Sequence, residues 1–387
     1  MNICIIPSAE LSYESGSTLY AQNCINSLAD LGHNIYVICS KLPRKTHRKV
    51  HYKLVDIMEH PVIDDYFITD FRMWDSINRI TKTVLDINNE TPIDLIHAHY
   101  ATINSVAAIN VKQLKGIPYV VSCFGRDVFN GFDNDKRYAK MVPQSLNNAD
   151  YIIASNAAVE SRILQLLNKN ISVPVISLNM PIDTKTFFPK NDTSIRKGSL
   201  HILNVVSCFS EEKGILTTLQ AIEKINNWGY EVSLHILGGD ENPVQKNYKK
   251  YIEVIEKNNM SNVHFEGMVT NDEVAKWLRK TDILVDSRYV GNFSSVILEA
   301  LATGIPVIAS NAPGNTELIQ DNFNGLLYTK GDSAELAEKL VELIVSDKKP
   351  RKLSLGALTW FEKNRYRYCL EDHIIQLEKI YSSIIRQ

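Results

Sequence analysis

Residues Gly291 to Ser310 read GNFSSVILEALATGIPVIAS: a small polar run, a short apolar helix carrying one acid, Glu299, then a glycine and a proline before a β-branched strand. An acid inside an apolar helix costs free energy when buried without a partner. Glu299 therefore calls for either a lysine on a neighbouring element or a ligand. Asn292, Phe293, Ser294 and Ser295 begin the helix, and Ser294 or Ser295 is placed to cap it. The N–H groups and dipole of such a first turn favour a phosphate. Glu299, just over a turn further in, then reaches the two hydroxyls of a ribose on the same nucleotide, which a carboxylate accepts well.

Three further segments carry chemistry-bearing residues at predicted strand ends. In SYESGSTLYAQNCI, Gly16 stands just before a helix, which makes either a tight strand–helix turn or an approach of backbone N–H groups to an anion. In SCFGRDVF, Phe124, Gly125, Arg126 and Asp127 follow a strand directly. Arg126 and Asp127 form either a local ion pair at a loop tip or part of a loop over a reacting group. In SCFSEEKGILTTLQAI, Lys213 and Gly214 stand where a strand gives way to a helix, and the lysine is either solvated or a diphosphate clamp. Pro313-Gly314-Asn315 repeats the small-residue turn before a helix.

The elements that must position these residues alternate regularly. NICIIPS, NIYVICS, DLIHAHY, PYVVSC, YIIASN and VPVISLN read as strands with amphipathic segments between them. After a polar stretch, Thr184 to Ser199, the pattern restarts at HILNVVSCFS and continues through EVSLHILGG, NVHFEGMV, DILVDSR and IPVIAS. Strands apolar on both faces and separated by helices imply parallel sheets, hence an α/β chain of two doubly wound halves. At 387 residues two domains are expected: 1–185, 186–360, and a terminal helical segment, 361–387. Hydrophobic content of 44% with 22% charged residues describes a globular chain, and a net charge of -2 argues against nucleic acid as a partner. The 6 cysteines are scattered without ligand spacing, which fits reduced thiols rather than zinc or disulfides and points to the cytoplasm. No signal peptide and no membrane-spanning run is predicted. The basic run Lys41 to Lys53 is either a solvated loop or a contact for an anionic acceptor or the inner membrane face.

Taken together, these segments resemble the retaining GT-B glycosyltransferases grouped as family 4. SLADLGHNIYVI, DLIHAHY and NMPIDTKTFFP are similar to the first half of that family. EKGILTTLQAI, VHFEGMV, DILVDSRYVGNFSSVILEALATGIPVIAS, PGNTELI and NFNGLLY are similar to its donor half in order and spacing. The resemblance implies two Rossmann-like domains facing across a cleft, with the terminal helix returning to the first. It implies a nucleotide-sugar donor, with uridine the commonest base among such enzymes, and a hydroxyl acceptor in glycan, polysaccharide or glycoconjugate synthesis. Glu299 then holds the ribose and Lys213 the diphosphate; Gly16, Ser294 and Ser295 face phosphates or sugar, and Gly267 and Met268 contact the base. The implied transfer retains anomeric configuration, uses no cofactor and no metal, and relies on the leaving diphosphate to help deprotonate the acceptor. Asp133-Asn134-Asp135 resembles a metal motif of a different fold and reads here as a turn.

Three residues depart from the family's pattern. Gly291 occupies the first position of its Glu-x7-Glu pair, Phe124 replaces a histidine that contacts the donor sugar, and Cys208 replaces an arginine beside the phosphate-binding lysine. Each hydrogen bond lost from a sugar site costs on the order of 1–3 kcal/mol if nothing replaces it. Either neighbouring groups substitute for the lost contacts or the donor or acceptor pocket is changed, the reading favoured here; an apolar Phe124 suits a donor lacking a 6-hydroxyl, such as a pentose or 6-deoxy sugar. The changes leave open a catalytically silent nucleotide-sugar-binding partner subunit and, on the shared architecture, a nucleotide-sugar epimerase. Neither half opens with the glycine fingerprint of a dinucleotide oxidoreductase.

Overall fold

The computed structural model describes residues 1–7, 10–12, 16–57, 66–167, 172–190, 200–239, 246–289 and 293–385. Two compact units emerge: Met1–Pro181 with Arg367–Gln387, and Ile182–Tyr366. The first unit thus ends a few residues before 185, and its returning segment begins at Arg367 rather than at 361.

The first unit is built on β1 (Asn2–Ile6), β2 (Asn34–Cys39), β3 (Val50–Leu54), β4 (Leu95–His99), β5 (Tyr119–Cys123), β6 (Tyr151–Ala154) and β7 (Val175–Ser177). All pair in parallel, in the order β3-β2-β1-β4-β5-β6-β7. β4 and β5 are buried along their whole length, as sheets covered by helices on both faces require. The second unit repeats the plan with β8 (Leu200–Val206), β9 (Val232–Gly238), β10 (Val263–Gly267), β11 (Ile283–Asp286), β12 (Val307–Ser310) and β13 (Leu326–Tyr328). Its parallel order is β10-β9-β8-β11-β12-β13. In each sheet the strand order reverses once, between β1 and β4 and between β8 and β11, and ligands of doubly wound sheets bind outside the strand ends at that point.

Two strands escape the sequence reading, and one motif is corrected. The basic run Lys41 to Lys53 is not all loop: β3 begins within it as an edge strand, paired with β2. β13, only three residues long, gives too short a pattern to register against its neighbours. Asp133-Asn134-Asp135 is not a turn but the junction of two helical segments, Phe132–Asn134 and Lys136–Asn148. Asp135 caps the second through the Arg137 N–H at 2.9 Å and pairs with the Arg137 side chain, while Asp133 pairs with Arg162 at 2.5 Å.

The terminal helix Leu370–Ile385 completes the first unit. It buries His373, Ile374, Leu377, Ile380, Tyr381 and Ile384 against the side of the sheet that carries Ile3, Ile5 and Val120. A buried polar chain runs beneath it. The His97 Nδ1 meets the Tyr381 hydroxyl at 2.6 Å and its Nε2 the Ser122 hydroxyl at 2.8 Å. His373 bridges the Asn179 carbonyl and the Tyr20 hydroxyl, each at 3.1 Å. Burial holds the His97 imidazole well below its usual range and pushes that of His373 down to about 3, so both are neutral hydrogen-bonding groups. The Tyr381→Phe variant, which strips one partner from buried His97, is expected to lose about 1–3 kcal/mol in urea unfolding. Leu377→Ala, which opens a cavity, is expected to lose about 2–5 kcal/mol; unchanged midpoints for both would show the helix contributes little to this core.

Candidate active site

The second unit gathers most of the predicted site. Leaving β8, the chain makes a single 3-10 turn, Glu211–Lys213, closed by Gly214 at φ 67, and enters the helix Ile215–Asn227. Leaving β11, it runs through Ser287, Arg288 and Tyr289. The two loops are fastened to each other. The Tyr289 N–H donates to the Glu212 carbonyl at 2.8 Å. The Thr218 hydroxyl meets that of Ser287 at 2.6 Å, and the Thr217 hydroxyl meets that of Tyr289 at 2.7 Å. Gly214 lies so close that a Cβ there would overlap the Ser287 carbonyl group. Lys213 is thereby delivered to the strand-order reversal, and among the described residues no carboxylate lies within ion-pair distance of its ammonium. Burial lowers its pKa, and Arg288 lowers it further.

Arg288 is a charged residue at this loop that the sequence reading does not single out. Its Nε lies 2.8 and 3.0 Å from the two oxygens of Asp286, and its Nη2 donates to Asp286 at 2.7 Å and to the Ser294 hydroxyl at 2.9 Å. Burial alone pushes the Asp286 carboxyl up, but Arg288 and Ser294 together hold it below the usual carboxylate range. The signal was present: DILVDSR ends an apolar strand on an acid and an arginine two apart, and charges there need a reason.

Ser294 is in the N-cap position of the helix Ser295–Thr303, yet its hydroxyl donates to Asp286 at 2.9 Å and makes no side-chain cap. The expectation that this hydroxyl caps the helix is therefore corrected; the first-turn N–H groups carry no side-chain cap. Phe293 and Ser295 are half-buried at that start, while Asn292 and Gly291 lie outside the described residues. Glu299 is 7% exposed, and among the described residues nothing hydrogen-bonds or pairs with its carboxyl. Among the described residues no lysine pairs with it, although such a pair is one of its two sequence readings. Burial pushes the acid up to about 8. Gly267 closes β10 at φ 73, with Met268 half-buried after it, at the same carboxyl edge two strands beyond β8.

The first unit holds the remaining candidates. Gly16 opens the helix Gly16–Asp30 and is exposed. Phe124 is half-buried, its ring 5.3 Å from that of Tyr20, 5.4 Å from His99 and 5.0 Å from Tyr100. Gly125 adopts φ 104, and its N–H donates to Asp127 at 3.1 Å; the Ala101 N–H donates to the same carboxylate at 3.0 Å. Asp127 is buried, so it ties the β4 and β5 loops together and forms no loop-tip ion pair with exposed Arg126. In the basic run, Lys41 pairs with Glu10, and Lys49 and His47 pair with Asp30, so part of its charge is neutralised.

Comparisons with known proteins bear on the family and the fold. Residues 189–359 match the family model for glycosyl transferases group 1, and residues 15–177 that for Glycosyltransferase Family 4. An uncharacterized glycosyltransferase of Methanocaldococcus jannaschii is 25% identical, over 98% of either chain. Among solved structures, sucrose-phosphate synthase of Thermosynechococcus elongatus superposes with a TM-score of 0.82 at 17% identity, covering 100% of this chain and 99% of that one. Anabaena HepE in complex with UDP and glucose superposes at 0.78 and 16% identity, covering 99% and 100%.

Two outcomes test the geometry. Gly214→Ala forces both a collision and a left-handed alanine, the latter alone costing about 1 kcal/mol or more; a lowered melting temperature is expected, and an unchanged one would show the loops are not clamped. The raised Glu299 acid keeps a proton that the unfolded chain releases above 4.5, so stability falls as pH rises from there through about 8. The melting temperature of Glu299→Gln relative to the parent should therefore climb across that window, whereas a gap independent of pH would mean the acid has a partner.

Proposed function

Because the chain belongs to the group 1 glycosyltransferases of the GT-B fold, we propose that it moves a sugar from a nucleoside-diphosphate donor to a hydroxyl acceptor with retention of anomeric configuration. The observation that carries this reading is Glu299, a buried acid without a partner among the described residues, just inside a helix whose first turn has no side-chain cap. A ribose offers two hydroxyls to such a carboxylate, and one nucleotide then lays its diphosphate on the first-turn N–H groups and Lys213. As the bond to the sugar breaks, negative charge grows on the diphosphate. Preorganised donors around it favour that charge more than the ground state. The departing diphosphate oxygen takes the acceptor proton on the face it leaves, which retains configuration without a protein nucleophile or a metal. Uridine is the preferred base, supported by the UDP bound to the Anabaena neighbour.

A second reading, a nucleotide-sugar-binding subunit without activity, draws on Phe124, whose ring packs among other aromatic rings and offers no hydrogen bond to a sugar. A thermal-shift panel of nucleotide sugars separates the readings. The cognate donor should raise the melting temperature in proportion to the logarithm of its concentration, and the rise should vanish in Glu299→Ala and Lys213→Ala. Stabilisation without transfer or donor hydrolysis would favour the silent subunit; no stabilisation by any nucleotide sugar would remove the donor assignment.

A further inference from the structure

We propose that Arg288 is the second cation of the anion site, taking the donor diphosphate together with Lys213, and that Asp286 and Ser294 hold its guanidinium in place for that task. This inference rests on the donor reading above and adds a binding residue and its support to it.

The argument begins with two positive side chains on two loops that cannot part. The Tyr289–Glu212 backbone bond and the Gly214–Ser287 approach join the loop after β8 to the loop after β11, and Thr217 and Thr218, in the first turn of the helix Ile215–Asn227, add two hydroxyl bonds to the latter. Lys213 and Arg288 are therefore carried on adjoining segments at the strand-order reversal between β8 and β11. Burial depresses the lysine's proton affinity first and the Arg288 charge adds to it, with Asp286 and Glu212 opposing the shift. Asp286 offsets one of the two charges. Asp286 and Glu212 act on Lys213 through space, but among the described residues no carboxylate lies within ion-pair distance of it, and a polyanion would relieve the remaining repulsion.

The guanidinium itself is only partly used. Nε and Nη2 are committed to Asp286 and Ser294, whereas nothing among the described residues accepts from Nη1. A fork fixed on one edge by a carboxylate and a hydroxyl presents its remaining donor in one direction, the arrangement that suits phosphate oxygens. The simpler view makes Arg288 the structural partner of Asp286 alone. That view accounts for the bidentate pair but not for the unused Nη1, nor for a lysine clamped beside it without an acid. Ser294 links the two devices, since the hydroxyl that steadies the guanidinium is the one withheld from capping the helix. Cys208, where the family resemblance places an arginine, carries no such donor. The charge has moved from the loop after β8 to the loop after β11.

The test is calorimetric titration of the full chain with UDP and UMP, with the GDP/GMP and ADP/AMP pairs run in parallel. If the parent chain binds none of them, the donor reading itself fails. If it binds one pair with a preference for the diphosphate, Lys213→Gln and Arg288→Gln should each weaken the diphosphate by roughly tenfold to a hundredfold and the monophosphate much less. Because Arg288→Gln alone leaves Asp286 buried and uncompensated, the Asp286→Asn/Arg288→Gln double variant is titrated beside it. A diphosphate-to-monophosphate ratio falling toward one in the folded double variant supports the inference. A ratio at the parent value, or an equal loss of both nucleotides, assigns Arg288 a structural role and overturns it.

Discussion

The seam between the loops that follow β8 and β11 is the constraint on which the candidate site depends. Gly214 must lie against the Ser287 carbonyl, which leaves no room for a side chain and demands a left-handed turn. Once that contact is made, the Thr217 and Thr218 hydroxyls meet Tyr289 and Ser287, and the backbone of Tyr289 joins that of Glu212. These bonds replace water at buried polar groups and fix two loops by hydrogen bonds that neither could make alone. Cations carried on such loops are held in position before any ligand arrives, so little ordering cost remains to be met on binding.

The same economy explains why the helix Ser295–Thr303 begins as it does. An ordinary serine N-cap satisfies a first-turn N–H with its own hydroxyl. Here Asp286 and Arg288 draw that hydroxyl away, and the helix start remains able to receive an anion. Deeper in the helix, Glu299 is buried without a partner among the described residues, and burial pushes its acid up to about 8. A glutamine of the same shape would bury at lower cost. The first unit shows the contrasting use of buried polar groups. Asp127, His97 and His373 are all hydrogen-bonded within the protein, and they stiffen the loops and the returning helix rather than waiting for a ligand.

What the residue order alone determined about this protein was its alternation of strands and helices, with Lys213 and Gly214 just after one strand and Ser294 and Glu299 at the start and inside of the helix that follows another. Those features are local: apolar runs bounded by turn residues define a strand and its edge without reference to anything distant. The motif resemblance carried the GT-B fold further than periodicity could, because spacing over a whole half is more specific than any single turn. Short edge elements were lost. β3 hid within a basic run and β13 spans three residues, so neither offered enough alternation to stand out.

Only the tertiary structure decided which polar groups serve one another. Thr218 and Ser287 are 69 residues apart, and His97 and Tyr381 are 284 apart. No local pattern states that β8 and β11 are neighbours, so no local pattern could reveal that Arg288 and Lys213 lie on adjoining segments. Nor could it show that the Ser294 hydroxyl is taken by Asp286, or that Asp127 turns inward to backbone amides instead of to Arg126. A side chain's chemistry is written in its residue type. Its partner is chosen by strand order, because hydrogen bonds and charges act over a few ångströms of space and not along the chain.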